Sequence, residues 1–244
     1  MYILAIETTG PYCSAAITDE EGEITEKISC ETMSHLCNLI PMVKQLTDEK
    51  SLSLFNDITA IAVSSGPGSF TGIRIGVSTG RALAQVSGTR LIAVSALESF
   101  VYAAESFPGI ICPVFDARRD QVYAGAFRWT SEGHEEVVRG APYMLDELLG
   151  SLKDLDDIRF FGDGLGPYGE KISDWARLKG KTVTFAPEDS RYQRASNTAR
   201  LGLEFFRKGR TLMFDRLQPD YMRKAEAQKR LEEGTLSKKI KGEV

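Results

Sequence analysis

The chain has few of the residues on which most metal-dependent and nucleophilic active sites depend. It contains two histidines, His35 and His134, and four cysteines in 244 residues. The histidines do not form an HxxxH or HExxH pair, and no two cysteines have CxxC spacing. A serine or cysteine nucleophile also requires an adjacent base. The sequence therefore indicates no metal site and no nucleophilic catalytic site, and we expect the cysteines to be reduced thiols.

Long hydrophobic runs and a strong net charge are also missing. No apolar stretch approaches the roughly 18 residues of a membrane span, and the first residues lack the pattern of a signal peptide. We therefore expect a cytoplasmic protein with no membrane partner. The net charge of −4 argues against general nucleic-acid binding. After Met222, however, seven Lys and Arg outnumber four Asp and Glu, and we interpret 226–244 as a basic tail and a candidate for disorder.

The hydrophobic pattern repeats one order of elements in the two halves of the chain. The first half predicts strands at 2–7, 13–18, 23–31, 58–65 and 91–95 and helices at 35–46, 70–87 and 96–106. The second half predicts strands at 110–119, 121–129, 135–144, 158–164 and 182–187 and helices at 145–152, 167–178 and 196–209.

A duplicated βββαβαβα unit is the plan of the actin/Hsp70-like ATPase fold, an α/β fold in which two lobes enclose a cleft. The break at Phe107-Pro108-Gly109 separates the halves. We predict an N-terminal lobe at 1–107 and a C-terminal lobe at 108–194. In such folds the last helix commonly packs back on the first lobe, so we expect the helix within 195–225 to join it.

In that fold, the hairpin turn that opens each lobe clasps the phosphates of ATP. The first turn offers Glu7, Thr8 and Thr9, and the second offers Asp116 and Arg118 where glycines are usual. Arginine side chains hinder close backbone approach to a phosphate, and an aspartate there is favoured as the cap of a tight turn. We interpret these residues as a degenerate nucleotide site. No cofactor is expected to be required, and weak or vestigial ATP or ADP binding stays open.

Several segments occur in an order that one known family shares. They are "ILAIETT…CSAAI", "SHLCNLIPMV", "AVSSGPGSFTGIRIGVSTGRALA", "VSALESF", "VFDARRDQVYAGAF" and "QPDYMRK". Together they resemble the bacterial TsaB family, also called YeaZ, from the first strand to about residue 224. The resemblance implies a noncatalytic relative of TsaD. That enzyme transfers a threonylcarbamoyl group to N6 of the tRNA adenosine 3′ to the anticodon.

The resemblance also bears on catalysis and partners. The enzyme's family has a metal-binding motif, Asn-His-Leu-Glu-Gly-His, where this chain has Ser95-Ala96-Leu97-Glu98-Ser99-Phe100. Ala96 and Phe100 thus replace both histidine ligands, and neither side chain can donate a lone pair to a metal. The resemblance implies a scaffold or activating subunit that pairs with TsaD and with the ATPase TsaE. It also implies a homodimer when the chain is alone, and contact with tRNA only through the complex.

Glycines recur every four residues in the segment from 68 to 80. Glycine costs about 1 kcal/mol relative to alanine inside a helix, so their repetition favours a close packing surface over a phosphate cradle. Whether that surface packs within its own lobe or against a partner stays open. The resemblance implies that the first two helices form the partner interface, with Leu36, Leu39, Ile40, Val43, Gly68, Gly72, Ile73, Gly76, Val77 and Gly80 as the candidate residues.

Two other functions stay open at this stage. A stand-alone ATP-dependent kinase or hydrolase of the same fold would use Glu7 and Asp116 at the cleft. A metallopeptidase would require stoichiometric zinc or iron, for which the sequence offers no histidine pair.

Overall fold

The computed structural model of the protein describes residues 1–29, 31 and 34–222, so the predicted tail at 226–244 lies outside the described residues. The first half of the chain forms one five-stranded sheet in the order β3-β2-β1-β4-β5. Its elements are β1 Tyr2–Glu7, β2 Ser14–Asp19, β3 Ile24–Ile28, α1 His35–Glu49, β4 Ile58–Gly66, α2 Phe70–Ser87 and β5 Arg90–Ser95.

The second half forms another five-stranded sheet in the order β10-β9-β6-β7-β8, so the same strand order occurs twice. Its elements are β6 Ile110–Asp116, β7 Gln121–Thr130, β8 Gly133–Met144, α3 Leu145–Ser151, β9 Ile158–Phe161, α4 Leu165–Lys179 and β10 Val183–Phe185. The predicted α/β fold with a duplicated unit is confirmed. Within the described residues, no helix combines the length and the apolar character needed to cross a membrane.

Both faces of the first sheet are covered. Along β1, Leu4 and Ile6 point to the face that α1 and α2 cover, while Ile3 and Ala5 point to the opposite face. This alternation is the two-residue period of a strand, here apolar on both sides because both sides are buried. The apolar runs in β1 and β4 therefore reflect a doubly covered sheet.

The helix on the opposite face comes from the end of the chain. α5 spans Ala195–Arg207 and packs against the first sheet through a face that includes Ala199 and Gly202. A Cβ atom on Gly202 would collide with the methyl group of Ala62, so glycine permits this close approach. We define the first lobe as the first sheet with α1, α2 and α5, and the second lobe as the second sheet with α3 and α4. The predicted boundary near residue 107 stays a prediction.

The third predicted helix of the first half, at 96–106, is instead a 3₁₀ helix over Glu98–Ala104. The face of the first sheet that it would have covered is occupied by α5. The 3₁₀ helix lies between α5 and β5 of the first lobe on one side and the second sheet on the other. On the second sheet, the Phe100 ring lies 5.7 Å from Phe115 and 5.4 Å from Phe161, centroid to centroid. This aromatic cluster joins the two lobes.

Candidate functional site

The glycine-rich segment between β4 and α2 is bound to the first hairpin turn. Ser69 caps α2, and its hydroxyl accepts the backbone N–H of Gly72 at 3.2 Å. The backbone N–H of Ser69 donates to the carbonyl of Thr9 at 2.8 Å, and the hydroxyl of Thr8 donates to the carbonyl of Gly72 at 2.7 Å. The N–H groups of Ser69 and Gly72 thus serve the chain's own packing rather than a phosphate.

The glycines of α2 face their own sheet. A Cβ atom on Gly72 would collide with the carbonyl oxygen of Thr8, and one on Gly76 with the Thr8 hydroxyl. A Cβ atom on Gly80 would collide with a methyl group of Val63 on β4. Of the two alternatives left open by the sequence, close packing within the first lobe is the one that these contacts bear out.

Most residues of the predicted partner interface take part in this packing, and the interface itself stays a prediction. Seven of the ten candidate residues are buried in the first lobe and present no side chain to a partner: Leu39, Val43, Gly72, Ile73, Gly76, Val77 and Gly80. They are the apolar and small stripe of each helix, and this stripe covers the helix's own sheet. Leu36 and Ile40 are exposed, and Gly68 is partly exposed.

The outer faces of the two helices nevertheless carry large apolar side chains. On α1, Leu36 is 77% exposed and Ile40 is 50% exposed. On α2, Val86 is 72% exposed and Phe70 is 38% exposed. The two helices cover the same face of the first sheet. We call these four residues the outer apolar group, and only Leu36 and Ile40 of them were predicted from the sequence.

The last described segment packs on the start of α2. The ring of Tyr221 stacks on Phe70 with 4.5 Å between centroids, and its hydroxyl accepts the Nε–H of Arg74 at 2.9 Å. The Arg74 guanidinium lies 4.1 Å from the centroid of the Phe70 ring. The backbone N–H of Asp220 donates to the carbonyl of Ser65 at 2.7 Å. Sequence reasoning missed this cluster, although "QPDYMRK" contained its tyrosine.

The first hairpin turn, one half of the predicted nucleotide site, is buried. Glu7, Thr8 and Thr9 are at most 1% exposed. The Oε1 atom of Glu7 accepts hydrogen bonds from the backbone and the hydroxyl of Thr9 at 2.6 and 2.7 Å, and Oε2 lies 3.5 Å from the hydroxyl of Thr198. Burial raises the pKa of Glu7, and the hydrogen bonds from Thr9 and Thr198 oppose that rise. Glu7 and Thr9 bind each other and Thr8 binds Gly72, so these side chains serve the chain's own packing, and the nucleotide site at this turn stays a prediction.

The second turn is a capped tight turn. Asp116 Oδ1 accepts the backbone N–H of Arg118 at 2.8 Å and the hydroxyl of Tyr168 at 3.1 Å. The Arg118 side chain is 87% exposed and lies 3.5 Å from the Asp116 carboxylate. Arg118, Arg119 and Asp120 have φ angles of 67°, 55° and 59°, a left-handed conformation that brings the chain around. This is the capping role that the sequence favoured over a phosphate clasp.

A carboxylate that sequence reasoning missed supports the second turn. Asp163 Oδ1 accepts the backbone N–H of Asp116 at 3.1 Å. Burial raises the pKa of Asp163, while its backbone hydrogen bonds lower it. Asp163 acts here through the backbone of the turn.

Ala96 and Phe100, at the positions where the resemblance implies metal ligands in the enzyme, lie in the apolar core between the lobes. Ala96 and Phe100 are both 0% exposed and belong to the cluster that includes Phe115 and Phe161. Neither histidine stands at these two positions, although His134 Nε2 lies 3.0 Å from Oε1 of Glu98, which stands between them in the sequence. His35 Nε2 lies 2.9 Å from the carbonyl oxygen of Gly10, which ties the start of α1 to the first turn. The Ala96 and Phe100 side chains, being apolar, offer no atom that could coordinate a metal.

Several known sequences that match this chain are described as proteins of tRNA threonylcarbamoyladenosine formation. The profile described as "TsaD: tRNA N6-adenosine threonylcarbamoyltransferase" matches residues 30–227. The Bacillus subtilis (strain 168) "tRNA threonylcarbamoyladenosine biosynthesis protein TsaB" is 34% identical over 93% of this chain and 96% of its own length. The Escherichia coli (strain K12) protein of the same name is 28% identical over 95% and 98%. A Moorella thermoacetica tRNA N6-adenosine threonylcarbamoyltransferase is 26% identical over 80% of this chain, which corresponds to 55% of that enzyme.

Solved structures support the fold. YeaZ from Pseudomonas aeruginosa has a TM-score of 0.71 at 24% identity, over 90% of this chain and 99% of that chain. A protein described as similar to the peptidase YeaZ from the same organism has a TM-score of 0.73 at 23% identity. The nearly full-length match at 34% identity and the match of the TsaD profile to most of the sequence show that this chain belongs to the TsaB (YeaZ) family.

Proposed function

We propose that this chain is a noncatalytic scaffold or activating subunit in the formation of threonylcarbamoyladenosine in tRNA. Its partner is a TsaD-type transferase, with TsaE as a further component and tRNA contacted through the complex. The Bacillus subtilis and Escherichia coli relatives are named for this biosynthesis, which supports the assignment. The proposal places the protein in the cytoplasm and requires no cofactor on this chain.

The observation that carries the proposal is the outer apolar group on α1 and α2. Leu36 and Val86 are 77% and 72% exposed although each lies on a helix whose inner face is fully packed. Exposed apolar side chains that share one helix face favour a protein–protein contact, and Leu36 and Ile40, one turn apart on α1, form such a face. A transferase subunit that matches 80% of this chain would present an equivalent pair of helices, so two related surfaces would meet. When the chain is alone, a second copy would occupy the same surface.

The same proposal explains the lost ligand positions. At Ala96 and Phe100 the chain has apolar side chains that pack between the lobes. A subunit whose partner holds the reacting groups needs a stable fold at this place and no coordinating atom. In the proposed complex, the transferase supplies all the chemistry and this chain supplies a surface.

The test is a binding measurement with variants of the outer apolar group. Leu36→Asp and Ile40→Asp should each weaken binding to the purified transferase subunit at least about tenfold, because a charge at an apolar contact costs more than about 1.4 kcal/mol. Leu178→Asp is the matched control, since Leu178 is 81% exposed on α4 of the second lobe. Unchanged affinity in both α1 variants, or equal loss in Leu178→Asp, would contradict the assignment.

A stand-alone ATP-dependent kinase or hydrolase is the competing function. Calorimetric titration with Mg-ATP and a phosphate-release assay on the isolated chain distinguish the two. We expect no turnover, because the oxygens of Glu7 are engaged by Thr9 and Thr198. Steady turnover that Asp116→Ala abolishes would favour the competing function.

A further inference from the structure

The imidazole of His134, in the second lobe, lies between the carboxylates of Glu98 and Glu204. His134 is the second residue of β8, and its side chain is 7% exposed. Its Nε2 atom lies 3.0 Å from Glu98 Oε1, and its Nδ1 atom lies 3.6 Å from Glu204 Oε2. Glu98 belongs to the 3₁₀ helix and Glu204 to α5. The ring therefore bridges the β7–β8 hairpin to the first lobe.

Aromatic side chains fix the orientation of this ring. Trp129 on β7 contacts His134 edge to face with 5.6 Å between centroids, and its indole N–H donates to the carbonyl of Val101 at 2.9 Å. Tyr102 packs edge to face on Trp129 at 5.3 Å and donates its hydroxyl to Glu204 at 2.8 Å. The imidazole cannot turn without displacing these groups, so both nitrogens keep their carboxylate neighbours.

The charges around the ring are mostly negative. A cavity of about 330 Å³ borders His134 and gives water access to the site. Lys208 is a nearby cation, which pairs with the other oxygen of Glu204 at 2.6 Å. The titratable groups that pair with the ring, pair with its carboxylates or line this cavity are Glu98, Tyr102, Glu136, Glu204, Lys208 and Asp220. The adjoining elements also carry the ion pairs Arg200–Glu105 and Arg128–Glu135, and Arg207.

We propose that His134 is a protonation-controlled clamp between the two lobes. A neutral imidazole has one N–H and donates to one carboxylate, and the lone pair of its other nitrogen then faces the second. Within the described residues, Nδ1 has no hydrogen-bond partner. A protonated imidazole is a donor at both nitrogens and can engage Glu98 and Glu204 together. Protonation of the ring therefore tightens the clamp, and loss of that proton loosens it.

The clamp is a property of the isolated chain and does not depend on the proposed function. One test follows the indole N–H signals by NMR from pH 5 to 8 in the full-length protein. The chain has two tryptophans, so Trp175 on α4 is an internal reference. We expect the Trp129 signal to shift with pH in the wild type and to stay constant in His134→Gln. A Trp129 signal that does not move in the wild type, or that moves equally in the variant, overturns the proposal.

A second test measures hydrogen exchange of the hairpin amides at 129–136, corrected for intrinsic rates. In the wild type we expect exchange about tenfold slower at pH 6 than at pH 8, because hydrogen bonds to a charged ring close the hairpin more firmly. Glu98→Gln should abolish this difference. Glu135→Gln is the matched control, because Glu135 pairs with Arg128 on the same hairpin away from the ring. The clamp is refuted if the wild type shows no difference or if Glu135→Gln removes it as Glu98→Gln does.

Discussion

Two glycines in helices of this chain differ in what surrounds them: one is tightly packed and the other faces open space. Comparing them distinguishes the effect of close packing from the effect of helix propensity. On α2, a Cβ atom at Gly80 would meet a methyl group of Val63 on β4. On α4, a Cβ atom at Gly169 would have nothing within 4 Å. Gly80 therefore permits a close helix–sheet approach, whereas Gly169 only lowers the helix propensity of α4.

This contrast predicts stability changes of opposite sign. Gly80→Ala should lower the free energy of unfolding by about 1–3 kcal/mol, because the added methyl group forces α2 away from the sheet. Gly169→Ala should raise it by about 0.5–1 kcal/mol through helix propensity. Urea unfolding of both variants checks the prediction. If Gly80→Ala were also stabilising, α2 would not pack on β4 as described.

The buried carboxyl of Glu7 predicts that the free energy of unfolding depends on pH. Burial raises its pKa in the folded state above the ordinary value of 4.5, so the folded chain holds this proton more tightly than the unfolded chain. The resulting stabilisation is complete below pH 4.5 and is lost as the pH rises through the folded-state pKa. Glu7→Gln cannot ionise, so its stability relative to the wild type should increase with pH above 4.5. Urea unfolding from pH 4.5 to 8 measures this difference, and a constant difference would contradict the prediction.

The two helices of the first lobe show which features a sequence pattern can predict. The apolar stripe with Leu39 and Val43 predicted α1 correctly, and the Gly-rich segment predicted α2 at 70–87. An apolar stripe on a helix predicts that one face is buried, but it does not predict which element covers that face. The helix's own sheet and a partner helix both require small and apolar residues, and seven of the predicted interface residues are buried against the helix's own lobe.

The contacts that sequence reasoning missed join elements far apart in the chain. His134 and Glu98 are 36 positions apart, and Tyr221 and Arg74 are 147 positions apart. Such pairs leave no periodic signal, because only the folded arrangement of strands brings them together. The sequence contains only two histidines, but nothing in its pattern predicted that one of them would lie between the lobes.

The stack of Tyr221 on Phe70 predicts that the last described segment stabilises the start of α2. Tyr221→Ala should lower the free energy of unfolding by about 1–2 kcal/mol, through loss of the aromatic pair and of the hydrogen bond from Arg74. Tyr221→Phe keeps the stack and should lose less than half as much. Thermal unfolding of the two variants measures the contributions of the aromatic stack and of the hydrogen bond. Equal losses would mean that the stack contributes nothing.

Taken as one molecule, the chain has an apolar junction where the enzyme family's motif would place metal ligands. Phe100 packs against Phe115 and Phe161 across the lobes, and Ala96 lies in the same cluster. The junction and the hydrogen-bonded bridge at His134 hold the lobes together at two places. A chain built in this way favours a fixed relation of its lobes, which fits the proposed role of a subunit that presents a surface.

Restoring the two histidines should therefore damage the fold without creating a metal site. Phe100→His combined with Ala96→His should lower the free energy of unfolding by at least about 3 kcal/mol, because it removes a buried ring and places polar nitrogens in an apolar core. Phe100→Leu, the control, keeps the position apolar and should cost about half as much. Urea unfolding gives the stability, and elemental analysis of protein purified with added zinc or iron gives the metal content. Stoichiometric metal with unchanged stability would show that the junction still has the geometry of a reactive centre and that apolar packing is not its role.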